Sequence, residues 1–209
     1  MEDLSEQAII DNCPHCDIRS QAFTHKIEET KNFYIVCDNH PLKEGHILII
    51  PKKHLSCVGA YPKDISRDFL KLNEKVSKFL FDNYQSASSF EHGIFGQTVF
   101  HSHIHYLPFH GKALDIVPEN KFFIMKDLSE LKDLLKRDGG YLFFSLNNTL
   151  MSVDASIAVP RFFRDRYALA LKKPERGNWK EMHVNKFLMK EADIEIAKTK
   201  RMWKEYFKQ

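Results

Sequence analysis

The chain lacks an imbalance of charge: 31 Lys and Arg stand against 28 Asp and Glu, a formal net charge of +3 in 209 residues. That surplus is too small to argue by itself for a nucleic-acid partner. No apolar run approaches the ~18 residues needed to span a bilayer. The first residues, MEDLSE, are acidic and carry no apolar h-region. These absences predict a cytoplasmic protein with no membrane partner. Internal repeats, Gly/Ser linkers and low-complexity tracts are missing too. Cysteine is sparse, at positions 13, 16, 37 and 57 only, which excludes a disulfide miniprotein. In a reducing compartment the Cys13-x-x-Cys16 spacing reads as a metal or redox pair rather than a disulfide. With 43% hydrophobic and 28% charged residues, wholesale disorder and collagen-like repeats are excluded as well. The length suits one compact core plus an extension better than two equal domains.

What is abundant is histidine: eleven residues, eight of them between His40 and His110. Around them the patterning predicts an α+β fold. Asn32 to Asp38 and His46 to Ile50 read as two strands joined by a polar turn. Pro62 to Tyr84 has apolar residues at 3–4 spacing (Ile65, Phe69, Leu72, Val76, Phe79, Leu80), a long amphipathic helix. Ser89 to Ile94 and His101 to Phe109 read as further strands, and residues 121–126 as another. Beyond them a short helix stops at Gly139-Gly140. A hairpin follows around Asn147-Asn148, with helices over 160–171 and 186–208. We therefore expect a core over 1–126 and an appended α/β extension over 127–209.

The sharpest motif is His101-Ser102-His103-Ile104-His105. On a strand the three histidines share one face, with ~6.6 Å between neighbours and ~13 Å between the outer two. One metal could take two neighbours but hardly all three, so the spacing divides their roles. Cys13-Pro14-His15-Cys16 is by itself ambiguous between zinc and redox work. No thioredoxin-like βαβ context accompanies it. Cys37 and Cys57 have no partner spacing and read as buried thiols.

Two segments, Gly45-His46-Ile47-Leu48-Ile49-Ile50-Pro51-Lys52-Lys53-His54 and Gly96-Gln97-Thr98-Val99-Phe100-His101-Ser102-His103-Ile104-His105, carry a resemblance over about residues 13–108. They resemble the histidine triad (HIT) superfamily of nucleotide hydrolases and transferases, with its His-x-His-x-His signature preceded by Pro-Lys-x-His. The extension is similar, less distinctively, to that of some bacterial members. The resemblance implies an antiparallel sheet with a long helix. It also implies cleavage of a phosphoanhydride or phosphoramidate, such as a dinucleoside polyphosphate, through a nucleotidyl-histidine on His103. His101 would hold the tautomer of His103 through its backbone carbonyl, and His105 would assist the leaving group. Gln97 and Thr98 match a pair that contacts phosphate oxygens, and Asp38 matches the acceptor of the ribose hydroxyls. Zinc-bearing relatives complete a closed, structural Cys2His2 site with the residues matching His54 and His101, giving Cys13, Cys16, His54 and His101 here. Homodimers are common among relatives.

One departure stands out. Where many members have Asn before Gly, this chain reads Phe90-Glu91-His92-Gly93, and His92 becomes a candidate substrate or supporting residue. Arg161 and Arg164 share a helix face at i,i+3. They either hold a polyphosphate tail or make a solvated basic face. Two other functions stay open: a non-catalytic nucleotide-binding protein with structural zinc, and an aprataxin-like remover of adenylate from nucleic-acid ends. No nucleic-acid-binding zinc finger follows the triad to favour the latter.

Overall fold

A computed structural model describes residues 12–208. Eight strands form one sheet: β1 (Lys26–Glu29), β2 (Phe33–Cys37), β3 (Ile47–Pro51), β4 (Ser88–Gly93), β5 (Ile104–Leu107), β6 (Phe122–Met125), β7 (Tyr141–Leu146) and β8 (Thr149–Val153). Their order is β1-β2-β3-β5-β4-β7-β8-β6, and all paired strands run antiparallel. The helices are α1 (Lys63–Tyr84), α2 (Ala113–Ile116), α3 (Glu130–Asp138), α4 (Phe162–Ala170), α5 (Trp179–Val184) and α6 (Lys186–Tyr206). None is long and apolar enough to cross a membrane.

The 3–4 spacing read in the sequence is the buried stripe of α1: Ile65, Phe69, Leu72, Val76, Phe79 and Leu80 all face the sheet. Each contributes about 1.5–3 kcal/mol when buried fully. They meet Phe33, Ile35, Ile47, Ile49, Ile104 and Tyr106, the alternate residues of β2, β3 and β5. Pro62 stands at the N-cap of α1 and not in its first turn. The opposite face carries Phe90, Leu107, Leu142 and Phe144, covered by Phe162, Phe163 and Tyr167 of α4. A third cluster packs Leu188, Ala192 and Ile196 of α6 against Cys37.

Two details differ from the sequence reading. The triad strand is shorter than residues 101–109, because β5 begins at Ile104. The Ser102 amide still donates to Leu55 O at 2.6 Å, so the chain stays extended enough to alternate faces. Residues 121–126 form a strand whose partner is β8, at the far edge of the sheet and not beside the core strands. The segment expected as an extension packing on the core adds strands to the same sheet. Its β7 pairs along the whole of β4, from Ser88↔Leu146 to Gly93↔Tyr141. Gly93 makes this possible, since a Cβ there would fall inside the ring of Tyr141. Asn147 and Asn148 take the left-handed conformation that a two-residue hairpin turn demands, as the β7–β8 link requires.

Candidate active site

The sequence brings four metal-ligand side chains together from three distant segments. Ligand atoms of Cys13, Cys16, His54 and His101 all lie within 4.8 Å of one another. Cys16 Sγ is 3.3 Å from His54 Nδ1, and both thiol sulfurs are 3.5 Å from His101 Nδ1. A tetrahedral ion with arms of about 2.3 Å to sulfur and 2.0–2.1 Å to nitrogen separates its S and N ligands by roughly 3.5 Å. The cluster therefore has the dimensions and donors of a metal site. His101 is fully buried, and its Nε2–H donates to Pro51 O at 2.8 Å, leaving the Nδ1 lone pair for the cluster. His15, between the two cysteines, stands outside this ligand set.

His103 and His105 point away from that cluster into a pocket of about 320 Å³. The Nδ1–H of His103 donates to His101 O at 2.7 Å, so Nε2 is the free lone pair of a pocket-lining ring. Burial lowers its pKa and keeps it neutral. The protonation of His105 follows from a chain of hydrogen bonds. The Leu42 amide donates to His46 Nδ1 at 3.0 Å, so that nitrogen carries no proton. Burial pushes the pKa of His46 down to about 4, so the ring is neutral and its proton sits on Nε2, 2.9 Å from His105 Nδ1. His105, also held neutral by burial, then bears its proton on Nε2. Phe90 stacks on the His105 ring at 4.4 Å and fixes its plane.

The same pocket is lined by every substrate-contact residue expected from the sequence: Asp38, His92, Gln97, Thr98, Arg161 and Arg164. Their tasks within the protein differ. Asp38, just past β2, accepts from the His40 amide at 2.8 Å and from Arg164 Nη1 at 2.8 Å. Burial opposes its charge, but Arg164 and His46 hold its carboxyl well below the usual range. Arg164 is itself buried, with its other donors on His40 O at 2.6 Å and on Arg176 O and Gly177 O at 3.4 Å. It is thus neither a free phosphate clamp nor a solvated basic face. Arg161 remains half-exposed and pairs loosely with Asp165 at 3.3 Å. His92 Nε2 accepts from the Phe163 amide at 3.2 Å and so caps the start of α4. Gly96, at φ +73, lets the Gln97 turn close on the extension, where the Arg161 amide donates to Gly96 O at 3.3 Å.

Glu91, the residue at the unusual position before His92, points to the other face. It is buried and accepts from Ser102 Oγ at 2.7 Å, Tyr141 Oη at 2.6 Å and the Val58 amide at 3.0 Å. Desolvation raises its pKa to about 7. Sequence reasoning weighed His15 only as a rival metal ligand, gave His46 no role beyond turns and packing, and gave Trp179 no site role; all three stand at or beside the pocket. His46 lies two residues before Leu48, which is opposite His105 in the β3–β5 register, so only the strand pairing brings it to that face.

Comparison with known proteins places the chain in a family. The HIT domain model matches residues 19–112. An uncharacterized HIT-like protein of Mycoplasma genitalium is 35% identical over 115 residues, 49% of this chain and 77% of that protein. The adenosine 5'-monophosphoramidase of Saccharomyces cerevisiae is 32% identical over 111 residues, 50% of this chain and 68% of that enzyme. A HIT family protein of Bacillus anthracis of known structure is 27% identical, covers 49% of this chain and 76% of its own, and has a TM-score of 0.44. The chain belongs to the HIT family.

Proposed function

We propose that this protein cleaves the bond between the α-phosphorus of a nucleotide and its leaving group through a nucleotidyl-histidine on His103. One observation carries the reading: a neutral His103 whose Nδ1 proton is tied to His101 O, with Nε2 free on the pocket wall. Nε2 attacks phosphorus and the bond to the leaving group breaks; neutral His105 keeps its Nε2 proton and hydrogen-bonds the departing atom, which takes its own proton from water. Water then displaces the histidine and releases a nucleoside monophosphate.

Among phosphoanhydrides and phosphoramidates, the charge of the pocket favours a nucleoside monophosphate derivative such as a phosphoramidate. Among the described residues its only charged lining side chains are Asp38, Arg164 and Arg161, and the first two neutralise each other. A polyphosphate chain would face one loosely held guanidinium. The relatives named adenosine 5'-monophosphoramidase, from two yeasts, are in line with this choice. Cys13, Cys16, His54 and His101 would hold zinc. With four protein ligands the ion has no open position, so it supplies structural support, tying the Cys13–Cys16 segment to the residue whose carbonyl orients His103.

The test is turnover of adenosine 5'-phosphoramidate and diadenosine tetraphosphate. Wild type should hydrolyse the former faster, and His103→Ala should lose at least ~1,000-fold in rate, as expected when a covalent nucleophile is removed. Acid-quenched enzyme should carry the mass of one nucleotidyl group. A His103→Ala variant as active as wild type sinks the mechanism.

A further inference from the structure

Five buried side-chain polar atoms among the described residues have no hydrogen-bond partner, and three of them belong to residues lining the one pocket described above: His15 Nδ1, Asn39 Oδ1 and Gln97 Oε1. Such orphans are rare in folded proteins, and a cluster of them in a cleft points to a ligand that completes them. Their chemistry narrows what that ligand presents. The amide nitrogen of Gln97 already donates to Ser56 O at 2.7 Å, and that of Asn39 donates to Gln21 O. The orphaned atoms of both are therefore carbonyl oxygens, acceptors only. A phosphate oxygen, itself an acceptor, cannot satisfy them. His15 is 7% exposed, and its ring lies edge-on to His103 with centroids 4.9 Å apart. It takes no part in the metal cluster although it sits between two of its members.

We propose that His15, Asn39 and Gln97 form a recognition wall for the uncharged part of the ligand, met by N–H or O–H donors of a nucleoside, and that His15 is its specificity determinant. The inference rests on the reading of this pocket as a nucleotide site. The donors come either from an exocyclic amine of the base or from the ribose hydroxyls. The short segment that closes the metal site would then also present a side chain to the substrate beside the nucleophile.

Calorimetric titration of the metal-loaded full chain tests this with AMP, with purine riboside 5'-monophosphate, which lacks the amine, and with 2',3'-dideoxy-AMP. Wild type should bind AMP about tenfold tighter than one of the two analogues, near the upper end of what one neutral hydrogen bond contributes. Loss on the first arm assigns the base, and loss on the second assigns the ribose. His15→Phe keeps a ring of similar size but no nitrogen. It should weaken AMP by about tenfold and shrink the discrimination to twofold or less, with metal content and melting temperature as folding controls. His15→Asn, whose amide reaches toward the place of Nδ1, should restore most of it. Asn39→Ala should weaken AMP in the same direction without touching the metal segment. If wild type binds AMP and His15→Phe matches it on all three ligands, the inference falls alone. If wild type binds none of them, the nucleotide reading falls and takes the inference with it.

Discussion

The two halves of the sheet reach the pocket by different means. The core half delivers His103, His105 and Asp38 by strand alternation and strand ends, so a period of two in the sequence becomes a face in space. The extension half delivers Arg161, Arg164 and Trp179 from helix starts and turns. Arg161 sits at φ 60, outside any regular element. A side chain placed by a strand is set by its neighbours in sequence. One placed by a turn is set by whatever the turn packs on. In this molecule that is the core itself, through β4–β7 pairing, the Asp38–Arg164 ion pair and the His92 cap.

The largest test of that dependence is Arg164→Leu, which leaves Asp38 buried without its cation. We expect a loss of about 3–5 kcal/mol in denaturant unfolding. A loss below 1 kcal/mol would mean that the extension leans on the core without being bound to it at the pocket.

Glu91→Gln comes next and acts through pH. The folded-state pKa of about 7 lies above the ordinary 4.5, so the native state keeps a proton that the unfolded chain releases. The stability contributed by Glu91 is full below pH 4.5 and is lost as pH rises through 7, by on the order of 2–3 kcal/mol. Unfolding midpoints at pH 5 and pH 7.5 should show this loss in wild type relative to Glu91→Gln. Asp38 has the opposite sign: its contribution is present above the unfolded pKa of 3.8 and fades as pH falls through its lower folded value.

His92→Ala removes the acceptor for the Phe163 amide, and about 1–2 kcal/mol of stability should go with it. A hydrogen-exchange measurement should find the first turn of α4 less protected. The smallest effect belongs to Arg137→Ala, whose partner Asp138 is exposed in the extension away from the joint. Thermal melting should leave its midpoint at that of wild type.

Much of the core was legible before any coordinates. The alternating His101, His103 and His105 announced divided roles; His101 lies in the cluster with Cys13, Cys16 and His54, and the other two line the pocket. The 3–4 spacing from Ile65 to Leu80 became the buried face of α1. The site residues contributed by the extension were legible only as types. Arg161 and Arg164 look equivalent at i,i+3, yet one is half-exposed and the other is buried against Asp38. That difference depends on a contact 126 residues away in the chain, which no local pattern encodes. His46 was hidden for a related reason: one histidine beside a β-branched run reads as packing until the fold brings its Nε2 within 2.9 Å of His105 Nδ1.

The pairing of β7 along β4 has a consequence for how the protein behaves on dilution. A wall of the pocket that arrives on the same chain is present at an effective concentration in the millimolar range or above, whatever the amount of protein in solution. Nor is the β4 edge open to a second copy, because β7 already occupies it. Activity per chain should therefore stay constant from micromolar to subnanomolar enzyme, where a pocket shared between subunits would come apart.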